Sequence, residues 1–106
     1  MILIIGGASS GKRDYARSLG FSENEISQNV WELVRENPDV SDSLFDTLRE
    51  MPVVICDEVG SGIVPMERRE RELRDACGRL CIALAADAEK VVRMVCGIAT
   101  VLKSEG

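Results

Sequence analysis

The amino-acid sequence predicts an α/β fold with a short, mainly parallel sheet. Short apolar runs rich in β-branched residues alternate with longer amphipathic segments, as strands and helices alternate in such folds. Three runs are clear: ILII at residues 2–5, VVIC at residues 53–56 and KVVRMVCGI at residues 90–98. The 106 residues suffice for one small domain with a single core, and we expect one domain over residues 1–106.

The region after the first run predicts a helix followed by a short turn. Residues 12–19 suit a helix, and Gly20 is placed to end it. Ser22 and Glu25 have the spacing of a capping box, although only one helical turn fits after them.

Three further helices are predicted before the last strand. Asn29 is placed to cap residues 30–37, and residues 42–51 form another amphipathic segment. The longest helix should cover residues 66–86, with Pro65 close to its start. Its apolar stripe comprises Leu73, Ala76, Cys77, Leu80 and Leu84.

The tail after residue 98 is expected to be frayed. Three strands make a small sheet, and a parallel sheet needs both of its faces covered. The short sheet therefore favours a homo-oligomer.

Composition limits the classes of function. A net charge of −5 argues against nucleic-acid or membrane-surface binding. The opening MILII is too short for a signal sequence, and no run reaches the length of a membrane span, so we expect a cytoplasmic protein. The cysteines form no C-x-x-C pair and there is no histidine, which favours buried thiols over a metal site or disulfides. They are Cys56, Cys77, Cys81 and Cys96.

The stretch GGASSGKR follows the first strand and predicts a phosphate-binding loop. Glycines at positions 6 and 11 allow the backbone N–H groups to face one centre, where Lys12 adds a full positive charge. Such a loop suits a di- or triphosphate, which predicts a P-loop NTPase-like, three-layer fold. The predicted nucleotide-binding residues are Gly6, Gly7, Ala8, Ser9, Ser10, Gly11, Lys12 and Arg13.

Two acidic residues follow the second strand. Ligands of parallel α/β sheets bind beyond the carboxyl ends of the strands, so Asp57 and Glu58 should lie near the loop. Asp57 is the candidate Mg²⁺ ligand, while Lys12 and Glu58 are the candidate catalytic residues. The alternative is an ordinary acidic turn.

Two blocks of sequence resemble one known family. ILIIGGASSGK and DEVGSGIVPMERRERELRDACGRLCIALAADAEKVVRMVCGI together look like the adenosylcobinamide kinase/adenosylcobinamide-phosphate guanylyltransferase family of cobalamin biosynthesis. The second block is the more specific, because its DEVGxGIVP and RDxxGRxxxxLAAxA patterns are not those of nucleotide kinases in general.

The resemblance implies a doubly wound fold, oligomers and two reactions. In the family, the loop binds ATP or GTP and a hydroxyl of the corrinoid is phosphorylated; GMP is then transferred through a covalent histidine. The positions that match the family motifs are Gly6, Gly11 and Lys12 in the loop, and Glu58, Gly60, Gly62 and Pro65 in the second block.

The sequence also departs from the family pattern. It has no histidine, which removes the family's route of guanylyl transfer, and the stretch between Gly20 and Met51 stands in place of a longer middle region. Arg13 occupies the position of the serine that binds magnesium. A guanidinium cannot ligate Mg²⁺ but can bind phosphate oxygens, so we expect weaker magnesium dependence; the alternative is that Arg13 points away, toward Asp14 or solvent.

Three interpretations follow. The first is a nucleotide-dependent cobinamide kinase without the guanylyltransferase step. The second is a non-catalytic nucleotide- or corrinoid-binding regulator or partner subunit derived from that enzyme. The third is a structural remnant that binds no ligand.

Overall fold

The computed structural model describes residues 1–7, 10–28, 30–36, 41–57 and 67–105. Within them the strands are β1 (Ile2–Gly6), β2 (Ile26–Ser27), β3 (Val53–Asp57), β4 (Lys90–Val95) and β5 (Ile98–Ser104). The α-helices are α1 (Lys12–Ser18), α2 (Val30–Glu36), α3 (Ser41–Leu48) and α4 (Arg68–Asp87), with a short 3₁₀ helix over Glu23–Glu25.

One sheet contains all five strands in the order β2-β3-β1-β4-β5. β1 pairs in parallel with β3 and with β4, β2 pairs in parallel with β3, and β5 runs antiparallel to β4. The predicted α/β fold with a mainly parallel sheet is thus confirmed, and the first run pairs directly with VVIC.

Apolar side chains on both faces explain why β1 lies in the centre. Leu3 packs into a cluster with buried residues of α2, α3 and α4, whereas Ile4 packs on the opposite face with Ala16 of α1. Such a two-sided apolar strand is stable only when helices cover both faces. The apolar stripe predicted for the longest helix is confirmed, because its members lie in or against the first cluster.

Several predicted helix boundaries shift. α1 ends at Ser18, and Gly20 has a φ of 97°, the left-handed conformation expected where a helix ends. The capping box of Ser22 and Glu25 is present. α3 is shorter than predicted because the chain turns after Leu48, and α4 begins at Arg68. Asn29 and Pro65 lie outside the described residues.

The prediction of a frayed tail is wrong. The third apolar run contains β4 and a turn at Cys96 and Gly97, and the tail from Ile98 onward forms β5. Both turn residues have positive φ, 49° and 76°, as a two-residue hairpin requires. The sequence signal for this turn is usually Asn-Gly or Asp-Gly, and Cys-Gly lacks it. β2, only two residues long, was also not predicted.

Within the described residues, none of the helices combines the length and the hydropathy needed to span a membrane.

Candidate functional site

The carboxyl ends of β1 and β3 lie side by side. The two strands are parallel, and Gly6 pairs with Asp57. β1 has β3 on one side and β4 on the other, so the strand order reverses at β1. Ligands of open α/β sheets bind at such switch points, outside the carboxyl ends of the strands. The loop that follows β1 occupies this position.

Two glycines of the loop are required by the backbone. A Cβ atom on Gly6 would lie 2.6 Å from the carbonyl oxygen of Met94 and 2.6 Å from Oγ of Ser10. Gly11 has a φ of 92°, which disfavours other residues. Its position directly before α1 lets the chain turn from the loop into the helix.

The β4–β5 turn contacts this loop. The N–H of Gly97 donates to the carbonyl oxygen of Ser10 at 3.0 Å. The Gly-Ile pair that ends the second sequence block therefore lies against the loop that the first block contains.

Lys12 points into the loop and is only 7% exposed. Its ammonium group donates to the carbonyl oxygen of Gly7, to Oγ of Ser10 at 3.4 Å and to Oδ1 of Asp57 at 2.9 Å. A buried ammonium needs such partners, because desolvating an unpaired charge is costly. The loop thus holds a fixed positive charge, which a carboxylate neutralises in this structure.

The Asp57 carboxylate faces the solvent side of this ion pair. Its side chain is 57% exposed, and its backbone carbonyl accepts a hydrogen bond of 3.4 Å from the indole of Trp31. Trp31 packs against the core and, through this bond, also anchors the end of β3.

Arg13 turns toward β2. Its Nε–H donates to Oε1 of Gln28 at 2.7 Å, so that the guanidinium is tethered to a neutral amide. Nothing in the sequence marks Gln28, because only the tertiary packing brings the end of β2 next to α1.

These side chains surround one open cleft of about 470 Å³. Its lining residues are Ser10, Gly11, Lys12, Arg13, Asp14, Gln28, Ile55 and Asp57. The loop, the predicted metal ligand and the unusual arginine are therefore neighbours. Ala8, Ser9 and Glu58 lie outside the described residues, as do the matching positions Gly60 and Gly62.

The residues present could hold a magnesium ion only in part. In the described ranges, no group of three or more His, Cys, Asp or Glu side chains is arranged to hold a metal. Of the described acidic residues, Asp14 and Asp57 line the cleft, and the one that contacts Lys12 is Asp57. Magnesium commonly binds through one or two carboxylates together with waters and substrate phosphates, so this donor fits an ion that arrives with a nucleotide.

A family model described as cobinamide kinase / cobinamide phosphate guanyltransferase matches residues 22–102. The chain belongs to this family. The matched region runs from the 3₁₀ helix into β5 and therefore includes Gln28, Trp31 and Asp57. The glycine loop precedes it, and only the geometry above connects the loop with the rest of the site.

Two curated members of the family are similar to the chain. The bifunctional adenosylcobalamin biosynthesis protein CobU of Salmonella typhimurium is 45% identical over 51 residues, and CobU of Escherichia coli is equally similar. Each match covers 48% of this chain but only 28% of the relative. The similarity to these cobinamide kinase family members is thus confined to a part of each relative.

Proposed function

We propose that the protein binds ATP or GTP in the glycine loop and transfers the terminal phosphoryl group to a hydroxyl of adenosylcobinamide. The chain would act as a single P-loop nucleotide-binding domain. The family supplies the corrinoid substrate class and the kinase reaction. The residues that would bind the phosphates are those of the loop, from Gly6 to Arg13.

The ion pair between buried Lys12 and exposed Asp57 is the observation that carries this proposal. A lysine fixed at the centre of a glycine loop is suited to an anion, and Asp57 holds that position through a single carboxylate oxygen. A phosphate oxygen could replace the carboxylate without leaving the ammonium unpaired. Lys12 would then neutralise charge on the transferred group, which is the main means of catalysis in phosphoryl transfer.

The displaced carboxylate would acquire a second role. Asp57 would hold Mg²⁺, directly or through water, beside the phosphates. Bound magnesium supplies charge neutralisation for phosphoryl transfer. Glu58, the next residue, would orient the acceptor hydroxyl.

Guanylyl transfer is not part of the proposal. The chain contains no histidine to form a phosphoramidate with GMP. Mass spectrometry after incubation with GTP should therefore show no covalent GMP adduct.

A second function is favoured by Arg13. Because a guanidinium replaces the hydroxyl that would bind magnesium, nucleotide binding could persist while turnover is lost. The protein would then be a nucleotide- or corrinoid-binding regulator, or a partner subunit of an active enzyme.

The test begins with calorimetric titration of the protein with ATP, GTP and cobinamide, each with Mg²⁺ and with EDTA. Removing Lys12 should weaken nucleotide binding by roughly tenfold to a hundredfold, since hydrogen bonds to charged groups are among the strong ones. Lys12→Ala is the test variant. Lys90→Ala is its control, because it removes the same charge at the opposite end of the sheet, where Lys90 pairs with Ile2.

A turnover assay separates the two functions. Mass spectrometry of cobinamide incubated with protein and nucleotide should show a phosphorylated product if the protein is a kinase. Binding without product would support the regulator. Absence of nucleotide binding to the native protein would contradict both.

A further inference from the structure

Arg13 belongs to a network of hydrogen-bonded polar side chains that links α1, the 3₁₀ helix and the residue after β2. Gln28 accepts from Arg13 through Oε1 and donates through Nε2 to Oε2 of Glu23, at 3.3 Å. The other oxygen of Glu23 accepts from Nε of Arg17 at 2.8 Å. The order Arg13–Gln28–Glu23–Arg17 thus begins and ends on α1.

The spacing of the two arginines on α1 makes this network possible. Arg13 and Arg17 are four residues apart, so both side chains leave the helix on the same side. Glu23 of the 3₁₀ helix and Gln28, the residue directly after β2, lie against that side. The hydrogen bond from Arg17, together with the charges of Arg17 and Arg13, lowers the pKa of Glu23, although burial opposes the shift.

The tether uses only one end of the guanidinium. Arginine has five N–H donors, and the bond to Gln28 occupies the one on Nε. Within the described part of the chain, neither terminal amino group of Arg13 has a hydrogen-bond partner. Both groups remain available to one anion, in the paired geometry that phosphate oxygens favour.

We infer that Gln28 is a positioning residue, which holds the Arg13 guanidinium so that its two terminal amino groups face the phosphates of a bound nucleotide. Gln28, Arg13 and Lys12 line the same cleft. The inference rests on the proposed nucleotide binding and adds how the site supplies a second positive charge beside Lys12. A fixed guanidinium loses less side-chain freedom on binding than a mobile one.

The role of Gln28 predicts a particular non-additivity. Gln28→Ala leaves the charge of Arg13 intact but frees its side chain, which should weaken binding of ATP in EDTA by roughly threefold to tenfold. Once Arg13 is replaced, Gln28 has nothing to position. In an Arg13→Met background, whose side chain donates no hydrogen bond, adding Gln28→Ala should change the affinity by less than about twofold.

The experiment is a double-mutant cycle measured by calorimetry in EDTA, using the full chain. The proteins are the native form, Gln28→Ala, Arg13→Met and the double variant, and the probes are ATP, GTP and inorganic tripolyphosphate. Asn24→Ala is the control for loss of an amide, because Asn24 is an exposed amide on the neighbouring 3₁₀ helix and does not line the cleft. Circular dichroism checks that each variant is folded.

The outcomes separate this inference from the proposed function. Equal losses from Gln28→Ala in both backgrounds would mean a general structural role and would overturn the inference while nucleotide binding stands. A loss with ATP but none with tripolyphosphate would mean that Gln28 contacts the nucleoside, which also overturns it. A native protein that binds none of the probes would overturn the proposed function and the inference together.

Discussion

Lys12 is the residue on which the candidate site depends. Its ammonium group is buried, yet its partner Asp57 is more than half exposed, so water screens the ion pair on one side. Ion pairs of partly exposed groups contribute little net stability. Exchange of the carboxylate for a more highly charged phosphate is therefore expected to cost the fold little.

A methyl group on Gly6 should destabilise the protein. The new Cβ would lie 2.6 Å from a backbone oxygen of β4, which cannot move without disturbing the sheet. We expect Gly6→Ala to lower the free energy of unfolding by roughly 1–3 kcal/mol, measured by urea denaturation.

Gly7→Ala is the matched control. Apart from its chain neighbours, the described residues place no atom within 4 Å of a Cβ at that position, so the same change one residue later should alter stability by less than about 0.5 kcal/mol. Equal effects of the two substitutions would contradict the close packing of the loop against β4.

At the scale of elements, α4 packs on the sheet through a row that includes Cys77. This thiol is buried in the larger core cluster. Burial raises the pKa of Cys77 to about 11, with a smaller contribution from the neighbouring Cys81. The folded state therefore binds the thiol proton more tightly than the unfolded chain does.

This shift predicts a loss of stability in alkaline solution. Below pH 9.0, the ordinary pKa of the thiol, Cys77 is protonated in both the folded and the unfolded state. Its contribution to the free energy of unfolding is then fully present. As the pH rises from there to about 11, only the unfolded chain releases the proton, so the free energy of unfolding should fall by up to roughly 2 kcal/mol.

Urea denaturation between pH 8 and pH 11 measures the effect. Cys77→Val should show a shallower fall than the native protein, whereas Cys96→Ser, which removes an exposed thiol, should keep the native slope. Parallel slopes for native protein and Cys77→Val would contradict the assignment.

Elements with strong local patterns were predictable from the sequence, and those defined by pairing were not. β1, β3 and α4 have clear apolar periodicity, and Gly20 marks the end of the first helix. β2 is only two residues long, so its pattern is too short to detect. β5 was missed because Cys96 adopts a left-handed turn that cysteine does not signal.

The same distinction applies to the site. That Lys12 and Asp57 would meet could be predicted, because both follow parallel strands whose carboxyl ends share one edge of the sheet. The roles of Gln28 and Trp31 could not be predicted. Their contacts depend on how β2 and α2 pack beside β3, and the spacing of residues in the sequence does not reveal that packing.

For the whole molecule, association of several copies remains a prediction. β5 is an edge strand with exposed apolar side chains: Ile98 is 69% exposed and Leu102 is 55% exposed. Unpaired strand edges favour pairing with another chain. We expect sedimentation velocity at micromolar concentration to show a homo-oligomer that Ile98→Lys dissociates.

Ile82→Lys is the control for this experiment. Ile82 is an equally exposed isoleucine, but it lies on α4 and not on the sheet edge. A native protein that sediments as a monomer would contradict the prediction, and dissociation by both substitutions would show that the association does not depend on β5.

The bond between Gly97 and Ser10 has a consequence for folding kinetics. β1, the central strand, pairs with strands about 50 and 90 positions away, and the glycine loop gains its bond to Gly97 when the last hairpin docks. Contacts of such high sequence separation form slowly, because the chain must lose the entropy of a long loop before these contacts can stabilise it. Nucleotide-binding competence should therefore appear as the final phase of refolding, later than the burial of Trp31, and the delay between the two signals would time the docking of the hairpin.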